Sequence, residues 1–370
     1  SSLPAVCSFH FSYLSSGTMT SPSSLFIEEK ENTKMRITTT EMHTGGEPVR
    51  IIESGYPVPQ GETILDKIND LRQNHDHYRK FVIFEPHGHF DMYGVLLVTP
   101  DHPEADIATI FLNNEGYSTM CGHACISVAR YAVDKGLIHR PITFPETQVN
   151  IQAPCGLVKT FVSVEGGDNL KSGRVRFESV PSFVVATDLE VQVEGHDVVK
   201  VDVAYGGAFY AFVSITDLGL DFQKSSIGEI NKAATAVTNA TKKAVTLTHP
   251  DTPAFLYGTI VVDTRDRTPC DVSTNICIFA DSETDRSPCG SGTTARIALM
   301  YHRGHIILGQ HHTFQNGVTG SQFLGRPVKE SQVENKMAVV VEIKGEGYYT
   351  GRSELTLEEN DSLGRGFLIR

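Results

Sequence analysis

Short apolar runs, either alternating or continuous, dominate the chain. Positions 35–40 alternate as a strand does. The stretch His43-Thr44-Gly45-Gly46-Glu47-Pro48 breaks the pattern, which resumes at 49–52. Similar β-type runs fall at 81–84, 93–98, 108–112, 157–164, 174–177, 198–203, 211–215, 257–262, 275–280 and 338–343. Helical spacing is rarer and marks 66–79, 121–135, 227–237 and 290–302. Many strands with few helices predict an α+β fold rather than a regular βαβ alternation.

The pattern repeats at long range. Cys121-Gly122-His123 and Cys289-Gly290-Ser291 stand 168 residues apart, and each opens a helical window. The same offset carries Gly136 onto Gly304 and Ile138 onto Ile306, and the pairs Gly45-Gly46 and Gly206-Gly207 are 161 residues apart. These matches predict two related halves, residues 35–165 completed by 334–370, and residues 166–333. Residues 1–34 differ: nine of the first 24 are Ser, and no Lys or Arg precedes Lys30. They read as a disordered leader outside the fold, with neither the basic n-region of a secretory signal nor the Arg-rich pattern of a transit peptide.

Composition narrows the function. With 40% hydrophobic and 21% charged residues in 370, the chain is long enough for two domains with real cores. Its 32 Lys and Arg against 44 Asp and Glu leave a net charge of −12, which argues against binding a phosphate backbone. Apolar runs such as 337–343 fall well short of the ~18–20 residues that span a bilayer. Seven cysteines, an odd number in a long chain, predict reduced thiols and a cytoplasmic protein.

Two of those thiols stand apart. Cys121 and Cys289 each sit at a glycine-flanked helix start, where free amides and the helix dipole favour an anion and are expected to lower a thiol pKa. Cys125, Cys155 and Cys277 read instead as small buried apolar residues. Cys7 falls in the leader and Cys270 in a loop. A metal held by Cys121, His123 and Cys125 is not expected, because positions i, i+2 and i+4 do not share a helix face and no C-x-x-C pair completes a tetrahedral set. A Cys–His nucleophile lacks an orienting third residue, and the chain has neither a P-loop nor a dinucleotide fingerprint. The polar stretch 85–92 reads as a connecting loop or a site wall. Two thiols facing one bound atom can take a proton from one side of a carbon and return it on the other. Paired helix starts would hold a carboxylate beside them, and no cofactor is required. An α-amino acid has the matching groups.

Met120-Cys121-Gly122-His123, Asp285-Arg286-Ser287-Pro288-Cys289-Gly290-Ser291-Gly292 and His43-Thr44-Gly45-Gly46-Glu47-Pro48 resemble the signature motifs of the proline racemase family. The resemblance implies a diaminopimelate epimerase-like fold, with two α/β halves and the active site in the cleft between them. It also implies a homodimer acting on a small imino acid without metal, pyridoxal phosphate or flavin. It gives Cys121 and Cys289 the catalytic positions. It puts His123 and Asp285 at the substrate's ring nitrogen, and Gly122, Gly290 and Ser291 at its carboxylate. His87 departs from the Arg that relatives often carry. The stretches 203–213 and 274–281 look most like the trans-3-hydroxy-L-proline dehydratases of animals, a subgroup that typically has Thr where this chain has Cys289. A dehydratase needs no thiol on the far face, whereas an isomerase does. Cys289 therefore favours racemisation or epimerisation of proline or hydroxyproline, with dehydration of trans-3-hydroxy-L-proline as the alternative. A binding module without turnover is disfavoured, because both thiols, His123 and Asp285 are retained.

Overall fold

The computed structural model describes residues 33–166, 170–263 and 272–369. Most of the expected leader, with Cys7, lies outside the described residues, as does Cys270. The first strand starts at Thr33, just inside the stretch assigned to the leader. The chain forms β1 (Thr33–Thr44), β2 (Glu47–Ser54), α1 (Ile64–Asp70), α2 (Asp76–Ile83), β3 (Gly94–Val98), β4 (Ile107–Leu112), β5 (Tyr117–Ser118), α3 (Gly122–Asp134), β6 (Glu146–Ala153), β7 (Gly156–Glu165) and β8 (Lys171–Glu178). It continues with β9 (Ser182–Gln192), β10 (Val198–Tyr205), β11 (Phe209–Ser214), α4 (Ile227–Ala244), β12 (Leu256–Val262), β13 (Ser273–Phe279), β14 (Glu283–Thr284), α5 (Gly290–His302), β15 (His312–Asn316), β16 (Gln322–Val333), β17 (Lys336–Gly345) and β18 (Gly347–Glu358).

The second series copies the first in its pairings. β1–β2 is antiparallel, β2–β3 parallel, β3–β4 antiparallel, β4–β6 parallel, and β6–β7 and β7–β8 antiparallel. In the same order, β10–β11 is antiparallel, β11–β12 parallel, β12–β13 antiparallel, β13–β15 parallel, and β15–β16 and β16–β17 antiparallel. β18 flanks β1 as β9 flanks β10. β17 pairs along one edge with β16; its other edge meets β9 at Ala338–Val339 and β8 at Glu342–Gly345. The result is a strand-rich molecule of two similar curved sheets joined through one strand.

Each sheet wraps a helix. Residues 122–129 of α3 are all buried, and the helix packs against β1, β2, β6, β7, β8 and β18. α5 occupies the equivalent place against β9, β10, β11, β16 and β17. Both helices are enclosed along most of their length, with His123 and Ser127 of α3 and Ser291, Thr293 and Thr294 of α5 among the buried residues. α4 is amphipathic instead; Ser226 and Glu229 form its capping box, and it lies on β12.

Local reading fails in two places. The apolar run 81–84, expected as a strand, is the last turn of α2 and the residue that ends it, where the Phe84 amide still donates to Lys80 O at 3.0 Å. Four apolar residues do not distinguish a buried strand from a buried helix turn. The helical window 66–79 is divided between α1 and α2, separated by a wider turn at Leu71–His75.

Candidate active site

The two enclosed helices point their N-termini at one another. A Cβ added to Gly122 would lie 2.6 Å from Gly290 Cα, and one added to Gly290 would lie 2.6 Å from Gly122 Cα. Only glycine permits this approach of backbones. The two glycine turns brace it crosswise. Gly207 of the β10–β11 turn (φ +96°) abuts Met120, where a Cβ would lie 2.6 Å from the side chain, and Thr119 Oγ1 donates to Gly207 O at 2.8 Å. Gly45 of the β1–β2 turn (φ +62°) abuts Ser287, where a Cβ would meet Ser287 Cβ at 3.1 Å. Each half therefore presses its turn against the loop that carries the other half's cysteine.

Between the helix starts lies a narrow cavity of about 10 Å³, lined by Cys121, Gly122, His123, Asp285, Cys289, Gly290 and Ser291, with Met120 and the rings of Tyr93, Tyr210, Tyr257 and Phe279. All seven residues expected at the site from sequence are thus brought together. Cys121 and Cys289 are each 5% exposed, so the cavity is closed as it stands. A wider groove of about 600 Å³ runs past Tyr56, Val58, Pro100 and His139 and contains none of these residues.

The two cysteines are held differently. Cys121 caps α3 in extended conformation, its Sγ accepting the Ala124 amide at 3.4 Å and lying 3.1 Å from His123 Nδ1. Cys289 caps α5 at φ +68°, a left-handed backbone that costs a non-glycine residue free energy. Its amide donates to Ser287 Oγ at 3.1 Å, and its Sγ lies 3.7 Å from the Tyr210 hydroxyl, which in turn is 2.8 Å from Ser291 Oγ. The loop before Cys289 is fixed from several sides. Asp285 Oδ1 accepts the Ser287 amide at 2.7 Å, and Asn316 Nδ2 donates to the carbonyls of Asp285 and Ser287. Glu47, fully buried, accepts the Arg286 amide at 2.6 Å. Asp91 binds the Arg286 guanidinium at 3.0 Å, so the 85–92 stretch supports this loop rather than lining the cavity. His87 is also remote from the cavity, its ring against Phe81 and its Nε2 3.2 Å from Thr356 O.

Burial overrides the helix dipole at Cys121. The thiol is pushed well above its ordinary pKa, contrary to the lowering expected from its place at a helix start. Burial also drives His123 down to about 3, so the neighbouring imidazole is neutral. Asp285 is pushed up by burial to about 6. The closed cavity therefore favours uncharged acids and bases.

His123 makes an acid-sensitivity prediction. Its folded pKa lies below the ordinary 6.5, so the unfolded chain binds more protons between pH 6.5 and about 3. The stability it permits is present above pH 6.5 and is lost as pH falls through that window. Asp285 and Glu47, both raised by burial, work in the opposite direction. Urea midpoints of wild type and His123→Asn, compared at pH 7 and pH 4.5, isolate the histidine. The gap should move by about 2–3 kcal/mol in favour of the variant at the lower pH, and an unchanged gap would refute a buried neutral His123.

The aromatic walls escaped sequence reasoning. One signal was available: Tyr93 and Tyr257 stand 164 residues apart, close to the repeat offset, and both line the cavity. Tyr210 had no such marker. Cys125 and Cys155 are buried in the core as expected, but Cys277, equally buried, lies beside Asp285 and Cys289.

Comparison with known proteins agrees with this geometry. The family model described as proline racemase matches residues 39–368. A trans-L-3-hydroxyproline dehydratase of Saccoglossus kowalevskii is 53% identical over 89% of this chain and 100% of its own length. The trans-3-hydroxy-L-proline dehydratase of Homo sapiens is 49% identical over 90% of this chain and 95% of its own. Among solved structures, a hydroxyproline epimerase from Agrobacterium vitis with bound trans-4-hydroxy-L-proline superposes with a TM-score of 0.84 at 27% identity, covering 92% of this chain and 96% of that one. Among the described residues, no helix is long and apolar enough to cross a membrane. With the family model spanning nearly all of the described chain and relatives matched almost end to end, the chain belongs to the proline racemase family.

Proposed function

We propose that this chain is a cofactor-independent lyase that removes water from trans-3-hydroxy-L-proline to give pyrroline-2-carboxylate. The observation that carries the chemistry is the single closed cavity in which Cys121, His123, Asp285 and Cys289 meet at two facing helix starts. The choice of elimination is supported by the relatives named as dehydratases at 49–53% identity. This reverses the order expected from Cys289 alone, which put isomerisation first.

The steps follow from the lining. Gly122, His123, Gly290 and Ser291 occupy the first positions of their helices, where amides lack carbonyl partners within the helix and can hold the substrate carboxylate. His123 and Asp285 flank the ring nitrogen. Cys121 takes the Cα proton as thiolate, an anion that burial disfavours in the closed cavity and that the positive charge of the bound ring ammonium favours. The Cα–H electron pair becomes the Cα–C3 double bond, the C3–O bond breaks, and the hydroxyl departs with a proton as water. The resulting enamine tautomerises to the cyclic imine. In the trans substrate the hydroxyl lies opposite the carboxylate, hence on the same ring face as the Cα hydrogen. One thiol can therefore serve both the proton and the leaving group. The fold reading that goes with this is a diaminopimelate epimerase-like duplication, acting as a homodimer in the cytoplasm.

A second reading, epimerisation of proline or 4-hydroxyproline, is favoured by one observation: a second thiol, Cys289, lines the same cavity. The readings separate in one experiment. The purified protein is incubated with trans-3-hydroxy-L-proline, and in D2O with L-proline and trans-4-hydroxy-L-proline. Imine should form from the 3-hydroxylated substrate, and Cys289→Thr should keep that activity while losing any inversion. Failure to form imine from every 3-hydroxyproline isomer would remove the lyase reading.

A further inference from the structure

Beside the substrate cavity lies a third thiol, Cys277, that this chemistry does not use, and it forms a cluster with two residues that line the cavity. Cys277 Sγ, a carboxylate oxygen of Asp285 and Cys289 Sγ all lie within 4.8 Å of one another, and all three residues are buried. They come from different elements. Cys277 is on β13, and Asp285 and Cys289 bound the loop that enters α5. The backbone ties them together, since the Asp285 amide donates to Cys277 O at 3.0 Å. Asn275, two residues before Cys277 on the same face of β13, is 2% exposed. Its Nδ2 donates to Pro288 O, next to Cys289, while its Oδ1 has no hydrogen-bond partner among the described residues. Arg286, the cation nearest in sequence, is turned to Asp91 at 3.0 Å and Glu47 at 3.8 Å. Two sulfurs and a carboxylate thus converge in a space closed to solvent, beside an unpartnered amide oxygen.

We propose that Cys277, Asp285 and Cys289 form a binding site for a thiophilic divalent cation such as Zn²⁺, which on binding withdraws Asp285 and Cys289 from the substrate cavity. Soft sulfur with one carboxylate selects zinc-class ions over Mg²⁺ or Ca²⁺. The donors fill three positions, leaving the fourth to water or a substrate oxygen. Both thiols bind as thiolates, so each cation taken up releases two protons to the buffer and no electrons move. The cation is an inhibitory ligand, not a cofactor.

The binding arm of the test is independent of the proposed reaction. The reduced, anaerobic full-length protein is titrated with Co²⁺ and followed by its absorption spectrum, and Zn²⁺ competes the cobalt off. Wild type should develop a thiolate-to-cobalt charge-transfer band. Cys121→Ser should retain the band. Cys277→Ser should lose it, with Zn²⁺ affinity weakened by more than about 100-fold, beyond the usual cost of losing a second-shell partner. Asp285→Asn is the second variant, and it should weaken Zn²⁺ while leaving sulfur ligation visible. No thiolate band in wild type, or Zn²⁺ affinity equal in wild type and Cys277→Ser, would overturn the site. A band lost in Cys121→Ser and kept in Cys277→Ser would move the cation to the other thiol and overturn it as well. The inhibition arm does rest on the reading of Asp285 and Cys289. Zn²⁺ should suppress imine formation, and any inversion, in wild type and much less in Cys277→Ser, and binding without suppression would refute the roles of Asp285 and Cys289 while leaving the site intact.

Discussion

Replacing Cys121 with serine is expected to lower turnover by about 10²–10⁴-fold, the usual contribution of a positioned acid–base group. The loss should appear equally in imine formation and in exchange of the Cα proton. Serine keeps everything else about the position. It is a preferred N-cap, so its hydroxyl can replace Sγ as acceptor for the Ala124 amide and α3 should start as before. What disappears is the ionisable sulfur 3.1 Å from His123. A serine hydroxyl cannot become an anion in a buried cavity beside a neutral imidazole. Thermal unfolding should therefore be unchanged or slightly later while activity collapses. A Cys121→Ser enzyme within about threefold of wild type would mean that the base lies elsewhere.

The second large effect is steric. Gly122→Ala should cost about 1–3 kcal/mol of stability and reduce kcat/KM by about 100-fold, the loss expected from displacing catalytic groups by about 1 Å. The new methyl would stand 2.6 Å from Gly290 Cα and 3.0 Å from Gly290 C. Both contacts are with backbone, which cannot rotate aside as a side chain can. The two helix starts must move apart, carrying Cys121 away from Cys289 and the carboxylate-binding amides away from each other. Gly228 provides the control. It lies in the first turn of α4 with nothing within 4 Å of an added Cβ, so Gly228→Ala should leave kcat/KM unchanged and stabilise the helix slightly. Urea unfolding and steady-state kinetics on both variants test the pair. Normal activity in Gly122→Ala would show that the cavity does not depend on the close seam.

Much of this site was legible because glycine, cysteine and repetition leave marks that tertiary context does not erase. The window 290–302 coincides with α5, and 121–135 with α3 to within a residue or so, since both helices space apolar residues in helical register and begin at Cys-Gly. The repetition seen in two cysteine starts and two glycine turns extends to the strand pairings within each half. Two of the missed strands, β6 and β15, place polar residues among those they bury. In β6, Thr147, Asn150 and Gln152 are buried, Asn150 Nδ2 donating to Glu104 O and Gln152 Oε1 accepting the Asp101 amide, so no clean hydrophobic alternation marks the strand. β15 hides in the same way, with His312 buried 2.7 Å from Ser273 Oγ. Thiol ionisation was misjudged for a related reason. The helix dipole is a local property written in the sequence, whereas the enclosure that outweighs it is built by the aromatic rings of Tyr93, Tyr210, Tyr257 and Phe279, which come from distant strands.

β17 gives the duplication a topological price. Along one edge it lies on β16; along the other it serves first β9 and then β8. Although the halves repeat one plan, neither is a module that can be cut free. Excising either copy would strip β17 of neighbours and leave raw strand edges, which invite pairing with other chains. The two halves look alike, but the shared strand makes them conjoined twins, and a catalytic seam between them is stable because neither can leave.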